Sequence, residues 1–358
     1  MKKKSKIIAG SIVLAIIGFV IFVLTISATF TRQPDASLDF SRVIRDNVAA
    51  DVRVVDIAML GAHNAFTSGI SRRSEACPHD GGMFANPATR RFAMGLFTRL
   101  QKSQKSDAAG LLARGVRYFD VRLTFTEDGW FTQRQLISAP FRDYLLQIIN
   151  FLTQNPGELI VFDIQHANLG GASFGDLWDY IAGVTINGKS LFSFVTFDPY
   201  STPLGQLTKG RATQHGAAAI ILAKTPATSG GFHYEYRAAI RSTWHNQLRP
   251  GELIPYIQRE YAFLRQNPQA TQNMFRVNQA QTSHNFDSFG NIMYSLAGWS
   301  ALNRSASHNV AMLNHEDFAS WLGVMPIFMV GFADSPNGDF NARVVNKINE
   351  FNRNISIR

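Results

Sequence analysis

Val116-Arg117-Tyr118-Phe119-Asp120-Val121-Arg122-Leu123 is the stretch on which the reading of this chain turns. Successive side chains of a β-strand point to opposite faces, so Tyr118, Asp120 and Arg122 share one face and Phe119, Val121 and Leu123 share the other. The apolar set suits a cover of helices. The polar set then points inward, where an unpaired charge is costly, so Asp120 and Arg122 must pair with each other or with a ligand. An arginine fork can give a phosphate two parallel hydrogen bonds. Spacing alone leaves a structural ion pair and a phosphate clamp equally open.

Working outward, five further apolar runs have strand character: Val54–Leu60, Leu159–Ile164, Ala218–Ala223, Met274–Asn278 and Ile327–Phe332. Amphipathic stretches lie between them, at Phe141–Leu152, Leu253–Leu264 and Arg343–Phe351. The turn signal Asn155-Pro156-Gly157 precedes the second of these runs. Strands alternating with helical patterns predict an α/β fold with a parallel sheet. Two more strands are expected within Thr124–Ile137 and in the 286–300 region, a count that suits a (β/α)8 TIM-type barrel. No fixed-period repeat interrupts the body.

Function on such a barrel gathers at the C-terminal ends of its strands. The first run leads into Gly61-Ala62-His63-Asn64, where the small residues would let a ligand approach the backbone. His63 at that mouth can act as a general base near neutral pH. The Val161–His166 segment places Asp163 and Gln165 on one face, read as inward. His284 follows another polar strand end and is a possible rim residue. The chain holds no His-Glu-x-x-His pair, glycine-rich phosphate loop or Gly-x-Ser-x-Gly elbow.

Residues 7–31 carry no charge and are long enough to cross a hydrocarbon core of about 30 Å. Lys2, Lys3, Lys4 and Lys6 precede them, which predicts a cytoplasmic N-terminus and an extracytoplasmic body. The expected organisation is one N-terminal transmembrane helix or signal segment at 1–31, a connector at 32–50 and the barrel at 51–358. Cleavage at Ser27-Ala28-Thr29, giving a secreted protein, is the alternative. The formal net charge is +9, of which four come from those lysines; the small surplus of +5 that remains suits an anionic lipid surface, and no basic stripe argues for nucleic acid. The single cysteine, Cys77, excludes an intrachain disulfide and a cysteine-based zinc site. The oligomeric state is not specified.

Three segments, in order, resemble signatures of the X region of phosphatidylinositol-specific phospholipases C. Leu60–Asn64 resembles its opening Gly-Thr-His-Asp or Ser-His-Asn segment. Gln101–Arg122 (QKSQKSDAAGLLARGVRYFDVR) resembles its second signature, and Phe151–Ile164 (FLTQNPGELIVFDI) its Phe-Leu-x-x-x-Pro-Gly-Glu strand. Met325–Phe351 resembles its closing strand and helix. The resemblance implies an irregular barrel in which His63 takes a proton from an inositol hydroxyl that then attacks phosphorus. It implies that Arg122 stabilises the charge developing there, with Asp120 beside it. Asn64, Asp163, Gln165 and Arg134 are carried along as expected substrate contacts.

Three departures qualify this. The family's second histidine, its general acid, falls within Trp130–Ser138, which holds none; the matching slot is Arg134 or Gln133. A histidine such as His166 or His284 in the same pocket would replace it. The closing-strand acid that supports the base in bacterial members falls at Gly331, with Asp334 just beyond. Asn64 fits a calcium-binding pattern, but Arg122 stands where such enzymes keep an acidic ligand, and Asn64 with Asp120 makes a poor calcium cage. No metal or cofactor is expected, with calcium as the alternative. The sequence thus predicts a phosphoric diester hydrolase or lyase acting on a membrane phospholipid headgroup. The alternatives are a catalytically impaired phosphoinositide-binding barrel and a metal-dependent phosphodiesterase, the latter disfavoured because Asp120-Val121-Arg122 breaks the acid pair it needs.

Overall fold

Ala218–Ala223 is buried at every position, as a parallel strand covered on both faces must be. Around it the computed structural model builds a barrel-like α/β body. It describes residues 39–355, apart from 88–89, 91–93, 95–97, 99, 284–300 and 335–338. The strands are β1 (Met59–Ala62), β2 (Val116–Thr126), β3 (Gly129–Arg134), β4 (Leu136–Pro140), β5 (Leu159–Asn168), β6 (Ala218–Ala223), β7 (His233–Glu235), β8 (Ile240–Ser242), β9 (Phe275–Gln279) and β10 (Ile327–Val330). Their order is β7-β6-β5-β2-β1-β10-β9-β8, with every pair along it parallel. The antiparallel β3–β4 hairpin hangs from β2.

This is the order of a (β/α)8 barrel with one seam open. Among the described residues β7 and β8 do not pair, and the helical turn Tyr236–Ala239 bridges them. The expected strand within Thr124–Ile137 is the end of β2 and the hairpin. The strand expected at 286–300, and His284, lie outside the described residues, as do the expected span and signal at 1–31. Among the described residues no helix is long and apolar enough to cross a membrane.

Helix α1 (Phe141–Gln154) shows why the body holds together. Its Phe141, Tyr144, Leu145, Ile148, Ile149 and Leu152 recur at helical spacing and are all buried. Each such aliphatic side chain contributes about 1.5–3 kcal/mol of burial free energy. Pro156 cannot continue the helix, and Gly157 takes φ +87° to turn the chain into β5.

Three expectations need correction. The first strand is shorter and later than Val54–Leu60, because Val54–Asp56 forms a 3-10 turn and pairing begins at Met59. Gly61 is small for its neighbours rather than for a ligand: a Cβ there would stand 3.1 Å from both Tyr118 Cδ1 and Met329 Cβ. Within the stretch expected as connector, Val43–Asn47 forms a helix whose Val43 and Ile44 join the main core.

Candidate active site

The C-terminal ends of β1, β2 and β5 lie side by side, and a cavity of about 580 Å³ opens above them. His63, Asn64, Arg122, Arg134, Gln165 and His166 line it. Asp120 does not; it is fully buried beneath, on the inward face of β2 that its spacing predicted. Asp120 therefore meets the side chains above it rather than the cavity itself. Its Oδ2 lies 2.9 Å from His63 Nδ1 and accepts the Asn64 backbone N–H at 3.0 Å, while its Oδ1 is 3.5 Å from Arg122 Nε.

The loop after β1 is held in uncommon backbone geometry. Asn64 and Phe66 take φ of +43° and +65°, and Phe332, after β10, takes +52°. Such residues cost of order 1–3 kcal/mol and cluster at functional sites. Hydrogen bonds from neighbouring segments fix them here. Gln104 Nε2 donates to the His63 and Val330 carbonyls at 2.9 and 3.2 Å, and Gln104 Oε1 accepts from the Ala333 N–H. Thr67 Oγ1 accepts from the backbone of Ser103 and Gln104.

His63 Nε2 faces the cavity side of this network, with Asn64 Nδ2 at 2.9 Å. Asn64 Nδ2 also donates to Ser103 Oγ at 3.2 Å, and Arg134 Nη1 reaches the same hydroxyl at 2.6 Å. Arg122 Nη2 donates to Gln165 Oε1 at 3.1 Å, and Gln165 Nε2 reaches the Tyr236 hydroxyl at 3.4 Å. Within this cluster the buried His63 Nδ1, Asn64 Oδ1, Asp120 Oδ1 and Arg122 Nε have no well-formed hydrogen bond in the protein, although His63 Nδ1 stands at ion-pair distance from Asp120. Unmet polar groups at a strand mouth are what a bound polar ligand or ordered water would satisfy.

The charges fit an anion. Burial lowers the His63 pKa to about 4, opposed by Asp120 and assisted by Arg122 and Arg134, so the ring is neutral at pH 7. Burial pushes the Asp120 carboxyl up, but Arg122, His63 and the Asn64 N–H outweigh it and hold it well below the usual carboxylate range. Burial and the nearby Arg122 bring Arg134 down to about 10, still protonated at neutral pH. Arg122, Arg134, Lys102 and Lys224 thus line a cavity to which Asp80 contributes a carboxylate, with Asp120 buried beneath it.

The sequence expectations divide. Of the two candidates for the second-histidine slot, Arg134 lines the cavity, whereas Gln133 is buried and accepts from the Gln135 N–H. Asp163 was expected to touch substrate, but it pairs in register with Asp120 below the cavity floor and accepts from the Tyr118 hydroxyl at 2.5 Å. Burial raises its pKa to about 8. Asp334 is buried in a loop and accepts from the Ser106 N–H, so among the described residues Asp120 is the carboxylate at His63. Ser103 and Gln104 were missed; their one signal was a polar run, Gln101–Gln104, in which the fold buries all but Lys102. Calcium does not fit, because the Arg122 guanidinium stands at the Asp120 oxygen a cation would need. Among the described residues no three His, Cys, Asp or Glu side chains are placed to hold a metal ion.

No family model matches the chain. Over 142 residues it is 26% identical to a PI-PLC X-box domain-containing protein of Dictyostelium discoideum, a match covering 39% of this chain and 18% of that protein. Phosphatidylinositol-specific phospholipase C from Listeria monocytogenes superposes with a TM-score of 0.54 at 14% identity, covering 86% of this chain and 98% of that one. A pentafluoro-Phe form of the Staphylococcus aureus enzyme gives 0.59 at 12% identity, covering 87% and 99%. The chain has the barrel fold of these phospholipases C. The chain covers less than a fifth of the length of its curated relative, and the structural likeness establishes the fold.

Proposed function

We propose that this barrel cleaves the headgroup phosphodiester of phosphatidylinositol or a related inositol glycolipid. The observation that carries the proposal is the convergence of neutral His63, cationic Arg122 and cationic Arg134 on one strand-end cavity. His63 Nε2 takes the proton of the inositol hydroxyl beside the phosphodiester. That oxygen bonds to phosphorus, and the phosphorus–glycerol oxygen bond breaks, leaving a cyclic phosphodiester and diacylglycerol. Arg122 stabilises the charge on the phosphoryl oxygens, and Asp120 holds His63 and Arg122 in place. Neutral amides and hydroxyls line much of the remaining wall, including Gln165, Gln279, Gln281 and Ser242, and they suit a hydroxyl-rich headgroup. The apolar segment 7–31 would hold the barrel at the outer membrane face, next to its substrate.

A specific observation supports a second reading. Arg134 lies in the segment where the resemblance expects the family's acid, and it does not release a proton at neutral pH. A barrel that binds the headgroup without turnover would follow. Incubating the full-length chain in detergent with phosphatidylinositol micelles, with calcium and with chelator, separates the readings. Release of water-soluble inositol phosphate, lost in Arg122→Ala, supports cleavage. Saturable headgroup binding with no release supports the binding barrel, and loss of activity with chelator revives a metal-dependent route.

A further inference from the structure

A strand irregularity places a second histidine at the site. Along β2 and β5 the pairing runs Asp120 with Asp163 and Val121 with Ile164, then jumps to Arg122 with His166. Gln165 is the extra residue, so β5 bulges opposite Arg122. In a regular strand Gln165 and His166 would face opposite sides. Here both line the cavity. The bulge leaves His166 on the exposed rim of the cavity, in register with Arg122.

Strand order adds the geometry. β2 lies between β1 and β5, so the mouth of β2 with Arg122 stands between His63 and His166. A phosphodiester held by Arg122 therefore has a histidine on each side. Displacement at phosphorus needs that arrangement, because the entering and leaving oxygens lie on opposite sides of the phosphorus atom.

We propose that His166 is the general acid of this barrel, protonating the leaving oxygen while His63 accepts the proton of the attacking hydroxyl. The assignment rests on the phosphodiester-cleaving reading. In the step, one phosphorus–oxygen bond forms and one breaks. His63 gains a proton, and His166 loses one to the departing glycerol oxygen. The other cavity groups serve less well. Arg134 keeps its proton. The Tyr236 hydroxyl is pushed up by burial and by Asp163. Lys224 lies over the Tyr236 ring, 5.0 Å from its centre. In the free protein burial, Arg122 and Lys224 lower the His166 pKa, while Asp120 and Asp80 raise it. A bound phosphodiester anion offsets the two cations and favours the imidazolium, so the substrate itself readies the acid.

The test compares two leaving groups with the full-length protein in detergent. Phosphatidylinositol expels an alkoxide that needs a proton; a 4-nitrophenyl ester of inositol phosphate expels a phenolate that does not. For His166→Ala the ratio of kcat/KM on phosphatidylinositol to that on the aryl ester is expected to fall about 10²–10⁴-fold, whereas His63→Ala lowers both rates together. A merely structural His166 would lower both rates and leave the ratio unchanged, which overturns the assignment. The assignment is equally overturned if Lys224→Ala shifts the ratio and His166→Ala does not. If wild type cleaves neither substrate, the phosphodiesterase reading falls and the assignment falls with it.

Discussion

Replacing Arg117 by methionine removes a buried cation at the end of the barrel opposite the cavity. Arg117 and Glu158 are both fully buried, and Arg117 Nε meets Glu158 Oε2 at 2.5 Å. The same guanidinium donates to the carbonyls of Leu112, Val116 and Phe40, each at 2.9 Å, and lies over the Phe151 ring. Glu158 Oε1 accepts the N–H groups of Ile44 and Arg45, so the pair fastens the Val43–Asn47 helix to the barrel. Methionine keeps the apolar stem but leaves a buried carboxylate without its cation, a change that costs about 3–5 kcal/mol. An unfolding entropy of about 2.1 cal/mol/K per residue, over a body of roughly 310 residues, is about 0.65 kcal/mol/K, so Tm should fall by about 5–8 °C. Calorimetry of Arg117→Met, Glu158→Gln and the double variant checks this. The double variant should lose less than the sum of the singles by about 1–2 kcal/mol. A Tm within about 1 °C of wild type for Arg117→Met, or strict additivity, would refute the reasoning.

Two further outcomes follow from the charges at the site. His63 sits below its ordinary pKa of 6.5, so its share of stability is present above pH 6.5 and is lost as the pH falls towards about 4; the acid limb of kcat/KM should likewise have its midpoint near 4, and a midpoint near 6.5 would contradict the burial argument. Asp163, raised to about 8, stays protonated at neutral pH, so its stabilising share is lost as the pH rises through about 8. Asp163→Asn should therefore cost less than about 1 kcal/mol at pH 7 in denaturant titration and flatten the loss of stability that runs from about pH 4 to about pH 8.

The alternation in Val116–Leu123 was enough to predict which residues face inward, because a strand has a two-residue period and Asp120 and Arg122 obey it. Ala218–Ala223 was legible to the residue for a related reason: it is apolar on both faces and flanked by breaks. The short strands β7 and β8 were not legible, since three residues carry no periodicity. Nor was the bulge at Gln165, which depends on how β5 registers against its neighbour. Counting alternation alone therefore put Gln165 inside and left His166 undecided. Asp163 shared the inward face as expected, but depth along the strand, which spacing does not encode, decided that it meets Tyr118 instead of the cavity. Arg117 and Glu158 illustrate the same limit, because a long-range buried pair leaves no local pattern.

The most direct test of the account is phosphorus NMR of phosphatidylinositol micelles turned over by the full-length chain, which distinguishes a five-membered cyclic phosphodiester from acyclic esters. The account predicts that wild type generates the cyclic inositol phosphate and that His63→Ala slows its appearance by about 10²–10⁴-fold. Equal, background-level spectra for wild type and His63→Ala would contradict it.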